Sequence, residues 1–207
     1  MIDVFLLANI VGSAAFALSG FFVGVRKELD YMGIFIVSLM TAGGGGVLRD
    51  VLVGRVPLLL SDFSSFVIVM SVIIAAIGFK LYRHENLSIR PWFIMSDSIG
   101  LVAFSVTGAL VGIDAGLPVY GGMVLAFLTA TGGGIIRDIL VNDMPSLLTS
   151  DFYGTIAILV AGAIYIMHGL GWQNDWTIGG IFMAALLLRW VAYKKQWQLP
   201  RVDRNNI

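Results

Sequence analysis

Two arginine–aspartate pairs sit inside stretches that are otherwise apolar. Arg49-Asp50 closes the run Gly43-Gly44-Gly45-Gly46-Val47-Leu48, and Arg137-Asp138 closes Gly132-Gly133-Gly134-Ile135-Ile136. Neither Tyr31 to Leu48 nor Ala115 to Ile136 contains an Asp, Glu, Lys, Arg or His. An ionisable residue in such a stretch marks a functional site by default, and its partner has to be named. Glycine costs roughly 0.8–1 kcal/mol relative to alanine in a helix interior, so three or four together are expected to unwind or bend a helix. Unwound backbone can turn its carbonyls towards a cation, whereas half-helix N-termini favour anions. Close helix packing is the alternative role for the same glycines, because small residues let backbones approach. Thr41, Thr129 and Thr131 stand beside the glycine runs and could add hydroxyl oxygens to a cation path.

The elements that carry these residues follow from composition. The 207-residue chain is 58% hydrophobic and only 13% charged, against about 25% charged in ordinary soluble domains. Its mean hydropathy is +0.90. With 13 basic and 13 acidic residues the formal charge is zero, which argues against a nucleic-acid binder. Cysteine is absent, so there is no disulfide scaffold and no thiolate metal site. The expected fold is all-α, a polytopic membrane protein forming a single membrane domain over residues 1–207. Helices crossing about 30 Å of hydrocarbon need roughly 20 apolar residues. Seven are expected, over about 3–24, 31–56, 63–82, 92–113, 118–144, 152–168 and 176–194. The first lacks a basic leader and is too long for a signal-peptide core, so it is expected to remain as a span. The apolar runs are continuous, without the alternation of a membrane barrel.

Orientation follows from lysine and arginine. With seven spans, one side receives Arg26, Lys27, Lys80, Arg83, Arg90, Arg189, Lys194, Lys195, Arg201 and Arg204, and the other receives Arg55. The N-terminus is therefore expected outside and the C-terminus in the cytoplasm of a multi-pass cell-membrane protein. Lys194, Lys195, Arg201 and Arg204 suit an anchor to anionic membrane lipids. Trp92, Trp172, Trp176, Trp190 and Trp197 fall near span ends, where indole rings prefer the interface.

The two glycine–arginine motifs belong to an internal repeat offset by 88 residues. Between the pairs Ala8/Ser96 and Pro57/Pro145, 18 of 50 positions are identical. Repeat one covers about 3–82 and repeat two about 92–168, with the seventh helix outside both. Each repeat holds three spans, an odd number, so the second copy enters the bilayer from the opposite face as an inverted 3+3 repeat. Such an architecture places a solute path at the repeat interface. Counted from the expected span midpoints, Arg49 and Arg137 lie about 7–8 Å off centre, towards opposite faces. Asp97 falls at the depth of Arg137, and its repeat mate Asn9 at the depth of Arg49. Asp97 is thus expected near Arg137 and Asn9 near Arg49, the alternative for Asp97 being a helix N-cap. Asp50 and Asp138 point about 100° away from their neighbouring arginines on a helix and are expected to need other partners. The arginine pairs could also be purely structural ion pairs.

Other features read as packing or capping. Gly20-x-x-x-Gly24 and Gly108-x-x-x-Gly112 suit close helix contacts. Asp62 and Asp151 suit helix caps, and His84 and His168 lie at span ends. Catalytic signals are weak. There is no Gly-Lys-Ser/Thr of a P-loop, Leu48 takes the place of a dinucleotide fingerprint's third glycine, and no His/carboxylate cluster has metal spacing. No enzyme activity and no cofactor is expected.

Asp97-x-x-Gly100, Ala103-Phe104, Gly108 and the duplicated Gly-Gly-Gly-x-x-Arg-Asp motifs resemble the prokaryotic trimeric intracellular cation (TRIC) channels. They are also similar to the related bacterial glycine-transporter-domain membrane proteins. The resemblance covers about residues 5–170. It implies a homotrimer with one pore per protomer, bounded by kinked helices two and five and permeable to monovalent cations, chiefly potassium. It also implies kinks at residues 43–46 and 132–134, with Arg49 and Arg137 along the path. There they are neutralised by Asp97, Asp50 or Asp138, or act as gates. A secondary transporter of a small solute such as glycine fits inverted repeats and broken helices as well.

Overall fold

The computed structural model describes residues 4–83, 89–149 and 152–197. His84, Asp151, Arg201 and Arg204 lie outside the described residues. The helices are α1 (Val4–Arg26), α2 (Tyr31–Leu52), α3 (Leu58–Ser61), α4 (Ser64–Gly78), α5 (Ile89–Asp114), α6 (Val119–Leu140), α7 (Ser146–Thr149), α8 (Tyr153–Gly169) and α9 (Asp175–Lys194), with a 3-10 turn at Leu81–Arg83. Among the described residues, α1, α2, α5, α6 and α9 are long and apolar enough to cross a membrane, while α4 and α8 are shorter apolar helices. The chain is an all-helical polytopic membrane protein.

Four helices form the centre. α1 lies against α2 and α5, and α6 lies against α2 and α5. α4 covers α1 and α2, α8 covers α5 and α6, and α9 packs on α8 and α5. Phe16 of α1 and Phe104 of α5 meet edge to face, with ring centroids 5.2 Å apart. Each ring fills the space over a glycine of the opposite helix, so a Cβ on Gly12 would overlap Phe104 and one on Gly100 would overlap Phe16. The Gly20 and Gly108 motifs serve close packing as expected. A Cβ at Gly20 would come within 2.6 Å of Ser38 Cα on α2, and one at Gly108 within 2.6 Å of Ala126 Cα on α6.

Two elements depart from the sequence expectation. The spans expected to reach residues 56 and 144 end at Leu52 and Leu140, and short helices α3 and α7 follow them. Pro57 and Pro145 lie in the connections, where their fixed φ suits the start of a new helix rather than the interior of an old one. The midpoints of α2 and α6 therefore move towards their N-termini, and Arg49 and Arg137 fall in the last turn of each helix. At 1.5 Å per residue the arginines stand about 11 Å from the helix midpoints, farther than the expected 7–8 Å. A cation there also meets the negative end of the helix dipole.

The second departure concerns the glycines. α2 is α-helical through Gly43–Gly46 and α6 through Gly132–Gly134. The expected unwinding is absent because Gly44, Gly45, Gly132 and Gly133 face the opposing helix, not water. A Cβ on Gly45 would overlap the Thr129 carbonyl oxygen, and one on Gly133 would overlap the Thr41 carbonyl oxygen. Ile136 covers Gly44, and Leu48 covers Gly132. Close packing of α2 on α6 outweighs the intrinsic cost of glycine and leaves the main-chain ladder closed.

Candidate functional site

Arg49 and Arg137 are fully buried, each at 0% exposure. In both, the chain holds the guanidinium in the same local way. Arg49 Nε donates to Asp50 Oδ1 at 2.8 Å, and Arg137 Nε donates to Asp138 Oδ1 at 2.8 Å. These adjacent carboxylates do not point away from their arginines, contrary to the sequence expectation. The 100° between their Cβ directions is spanned by the arginine's three-methylene stem, which wraps around the helix end. The second carboxylate oxygen caps the short helix that follows. Asp50 Oδ2 accepts from Leu58 N at 3.1 Å, and Asp138 Oδ2 accepts from Ser146 N at 2.7 Å. Each Arg-Asp pair therefore also fixes the turn after its helix. A phenyl ring faces each guanidinium, Phe5 at 5.4 Å from Arg49 and Phe93 at 4.8 Å from Arg137. Phe5 and Phe93 stand 88 residues apart, so extending the repeat a few residues upstream would have found them.

Beyond this shared frame the two centres differ. Arg137 Nη1 donates to Asp97 Oδ1 at 2.6 Å and to Ser19 Oγ at 2.5 Å, and Ser19 Oγ donates to Asp97 Oδ1 at 3.2 Å. The pairing of Asp97 with Arg137 agrees with the depth match. Asp97 lies well inside α5, so it is not an N-cap. Arg49 shares a small cavity with Asn9, the repeat mate of Asp97, but its Nη1 and Nη2 have no hydrogen-bond partner among the described residues. Thr107 stands at the repeat position of Ser19 and donates instead to the Phe104 carbonyl of its own helix.

Thr41, Thr129 and Thr131 are buried with the glycines. Their hydroxyls donate back to Val37, Leu125 and Phe127 carbonyls at 2.6, 2.6 and 2.7 Å, leaving only oxygen lone pairs for any other partner. Arg189, counted with the cytoplasmic flank in the sequence, lies within α9 at 6% exposure. Its guanidinium carbon sits 5.1 Å from the Tyr153 ring, and its Nε donates to Ser98 Oγ at 3.4 Å. Ser98 adjoins Asp97, so the seventh long apolar stretch brings a third buried arginine towards the Arg137 centre. Its sequence signal was a lone basic residue with apolar neighbours on both sides. Ser19 and Tyr153 had no such signal, being neutral residues brought in by packing.

Two ion-pair sets tie the helix ends. Arg26 at the end of α1 and Lys27 just after it both reach Asp143 after α6, at 2.6 Å each, and Arg55 after α2 reaches Asp114 at the end of α5. The Lys27 hydrogen bond, helped by the Lys27 and Arg26 charges, holds the Asp143 carboxyl below its ordinary range. Asp62 takes hydrogen bonds from the Ser64 hydroxyl and main-chain N–H at the start of α4, which lower its pKa and match its expected capping role. His168 Nδ1 contacts Gln173 Oε1 at 2.5 Å, and among the described residues no His/Cys/Asp/Glu group of metal-site size occurs.

Buried Arg-Asp pairs thus stand at the ends of two closely packed helices inside an all-helical polytopic membrane protein. The glycine transporter family model matches residues 6–83 and 94–169, and the chain belongs to that family. The UPF0126 membrane protein YvgT of Bacillus subtilis is 35% identical, over 94% of each chain. A solved TRIC cation channel superposes with a TM-score of 0.84 at 33% identity, covering 97% of this chain and 98% of that one. The TRIC trimeric intracellular cation channel orthologue from Rhodobacter sphaeroides gives 0.86 at 29% identity, over 94% of this chain and 99% of that one.

Proposed function

We propose that the protein is a potassium-permeable monovalent cation channel, a homotrimer with one path per protomer along α2 and α6. The observation that carries this reading is the pair of buried Arg-Asp centres on those two crossed helices, in a fold shared with cation channels at 33% identity. In the proposed topology α4 and α8 also span, giving seven spans as an inverted 3+3 repeat plus α9 in one membrane domain. The N-terminus is outside and the C-terminus cytoplasmic, as the positions of lysine and arginine suggest. The Arg49 centre then lies in the outer half and the Arg137 centre in the cytoplasmic half.

The path is charge-managed rather than simply acidic. Arg137 stands with Asp97 and Asp138, so a cation passing there meets two carboxylates against one guanidinium, with Arg189 farther out on α9. The contact of Gly45 with the Thr129 carbonyl leaves no room between α2 and α6 at that level. Conduction therefore requires these helices to part, and the glycines are where they separate most readily. Parting would uncover the Thr41 and Thr129 carbonyls, which can replace water around an ion.

Reconstitution of the purified protein in planar bilayers tests the reading. Unitary, ohmic currents with a reversal potential following the potassium gradient are expected. Saturable uptake of labelled glycine without unitary current would replace the channel with an alternating-access transporter.

A further inference from the structure

We propose that the Arg49 centre binds a small monovalent anion of halide size, held by the Arg49 guanidinium and by the side chains of Asn9, Ser13 and Ser65. The first ground is the state of Arg49. Its side chain is fully buried, Nε is committed to Asp50, and both terminal nitrogens are without a hydrogen-bond partner among the described residues. Leaving charged N–H groups buried and unpaired costs more than an ordinary missing hydrogen bond. The second ground is the cavity beside them. It has room for about one water-sized sphere, roughly 10 Å³, and is lined by Arg49, Asp50, Asn9, Ser13, Ser65 and the open face of Gly46. An amide N–H and two hydroxyls can all donate. The one acidic wall, Asp50, already spends Oδ1 on Arg49 Nε and Oδ2 on Leu58 N.

The third ground is internal to the chain. At the matching position of the repeat, Arg137 Nη1 takes an anionic oxygen from Asp97 at 2.6 Å. Asn9 replaces that carboxylate at the Arg49 centre, with nearly the same shape and no charge. The frame that holds an anion in one half is thus repeated in the other, where among the described residues no carboxylate reaches the Arg49 terminal nitrogens. A diffusible anion completes the hydrogen bonding of the Arg49 terminal nitrogens, and a small halide needs the least widening of the cavity. A cation is disfavoured by those free donors.

Thermal unfolding of the purified, detergent-solubilised protein in equal concentrations of sodium chloride and sodium gluconate reads the site. The midpoint is expected about 2–4 °C higher in chloride, as mass action on a folded-state site requires. Asn9→Asp supplies the carboxylate in place, so its midpoint should no longer depend on the anion and should match or exceed the wild type in chloride. Should that variant fail to fold, crystals of the wild type grown in bromide decide the matter by anomalous scattering. A peak in hydrogen-bond contact with the Arg49 terminal nitrogens supports the site. Bromide at surface positions alone means an adventitious ion only and overturns it, as does a wild-type midpoint indifferent to the anion or a chloride effect that survives in Asn9→Asp. Neither readout involves conduction, so the failure of the channel reading would leave this result untouched.

Discussion

The Arg49 and Arg137 centres share a backbone plan and diverge in a few side chains. Both guanidiniums are buried in the last turn of a glycine-bearing helix, lean on the aspartate that follows, and face a phenyl ring. At Arg137, Nη1 finds Asp97 and Ser19 while Nη2 has no partner among the described residues; at Arg49 the same positions hold Asn9 and Thr107, and neither terminal nitrogen is bonded. A carboxylate and a hydroxyl thus separate a guanidinium with one terminal nitrogen tied from one with both left open. The same scaffold carries a buried charge at both centres, and the neighbouring side chains answer that charge differently.

Making the centres alike is the strongest way to break this comparison. Asp97→Asn gives the Arg137 centre the side chain of the other half. Removing one member of a buried pair should cost about 3–5 kcal/mol, seen as a large drop in the thermal midpoint of the purified protein. A small drop would mean that Asp138 alone satisfies Arg137 and that the two centres are equivalent.

The glycines offer a sharper contrast within a single run. Gly45→Ala and Gly133→Ala push a methyl group into an opposing main-chain carbonyl and should destabilise by about 1–3 kcal/mol through overpacking. Gly46→Ala and Gly134→Ala meet nothing nearer than 3.8 and 3.4 Å, so they should be neutral or stabilise by up to about 1 kcal/mol through helix propensity. Chemical or thermal unfolding of the four variants checks the ordering. In bilayers, the first two are also expected to change open probability under the proposed path between α2 and α6.

Ser19→Ala removes a neutral bridge between Arg137 and Asp97 and leaves their direct contact intact. A loss of about 1 kcal/mol is expected, read in the same unfolding assay.

The smallest effect lies at the helix ends. Asp143→Asn should cost at most about 1 kcal/mol, as exposed ion pairs do. Because the folded Asp143 carboxyl sits below its ordinary pKa, its contribution is present above the unfolded value and is lost as pH falls through the folded one. The wild-type and Asp143→Asn midpoints should therefore converge in acid, and a constant gap would assign the effect to packing.

The class of the molecule and its charged centres were legible in the sequence because both rest on simple rules. Long apolar runs require helices in a bilayer, and depth along a helix can be counted, which paired Asp97 with Arg137 across 40 positions. The fate of the glycines was not legible. Helix propensity gives the cost of Gly43–Gly46 in isolation, whereas the gain comes from the Thr129 main chain on another helix, which no local pattern encodes. The Arg49–Asp50 contact is hidden from the sequence because a Cβ direction says little about where a long, flexible side chain ends. Charge alone puts Arg189 on a flank, although α9 continues past it to Lys194.

The ties at the helix ends have a consequence for assembly. Arg26 and Asp114 are repeat mates, and so are Arg55 and Asp143, yet the bonds run from Arg26 to Asp143 and from Arg55 to Asp114. Every base in these ties comes from the first half and every acid from the second. Two first halves placed together would set Arg26 against Arg55, and two second halves would set Asp114 against Asp143. The two halves are therefore complementary in charge at their ends, each matched to the other and mismatched with a second copy of itself.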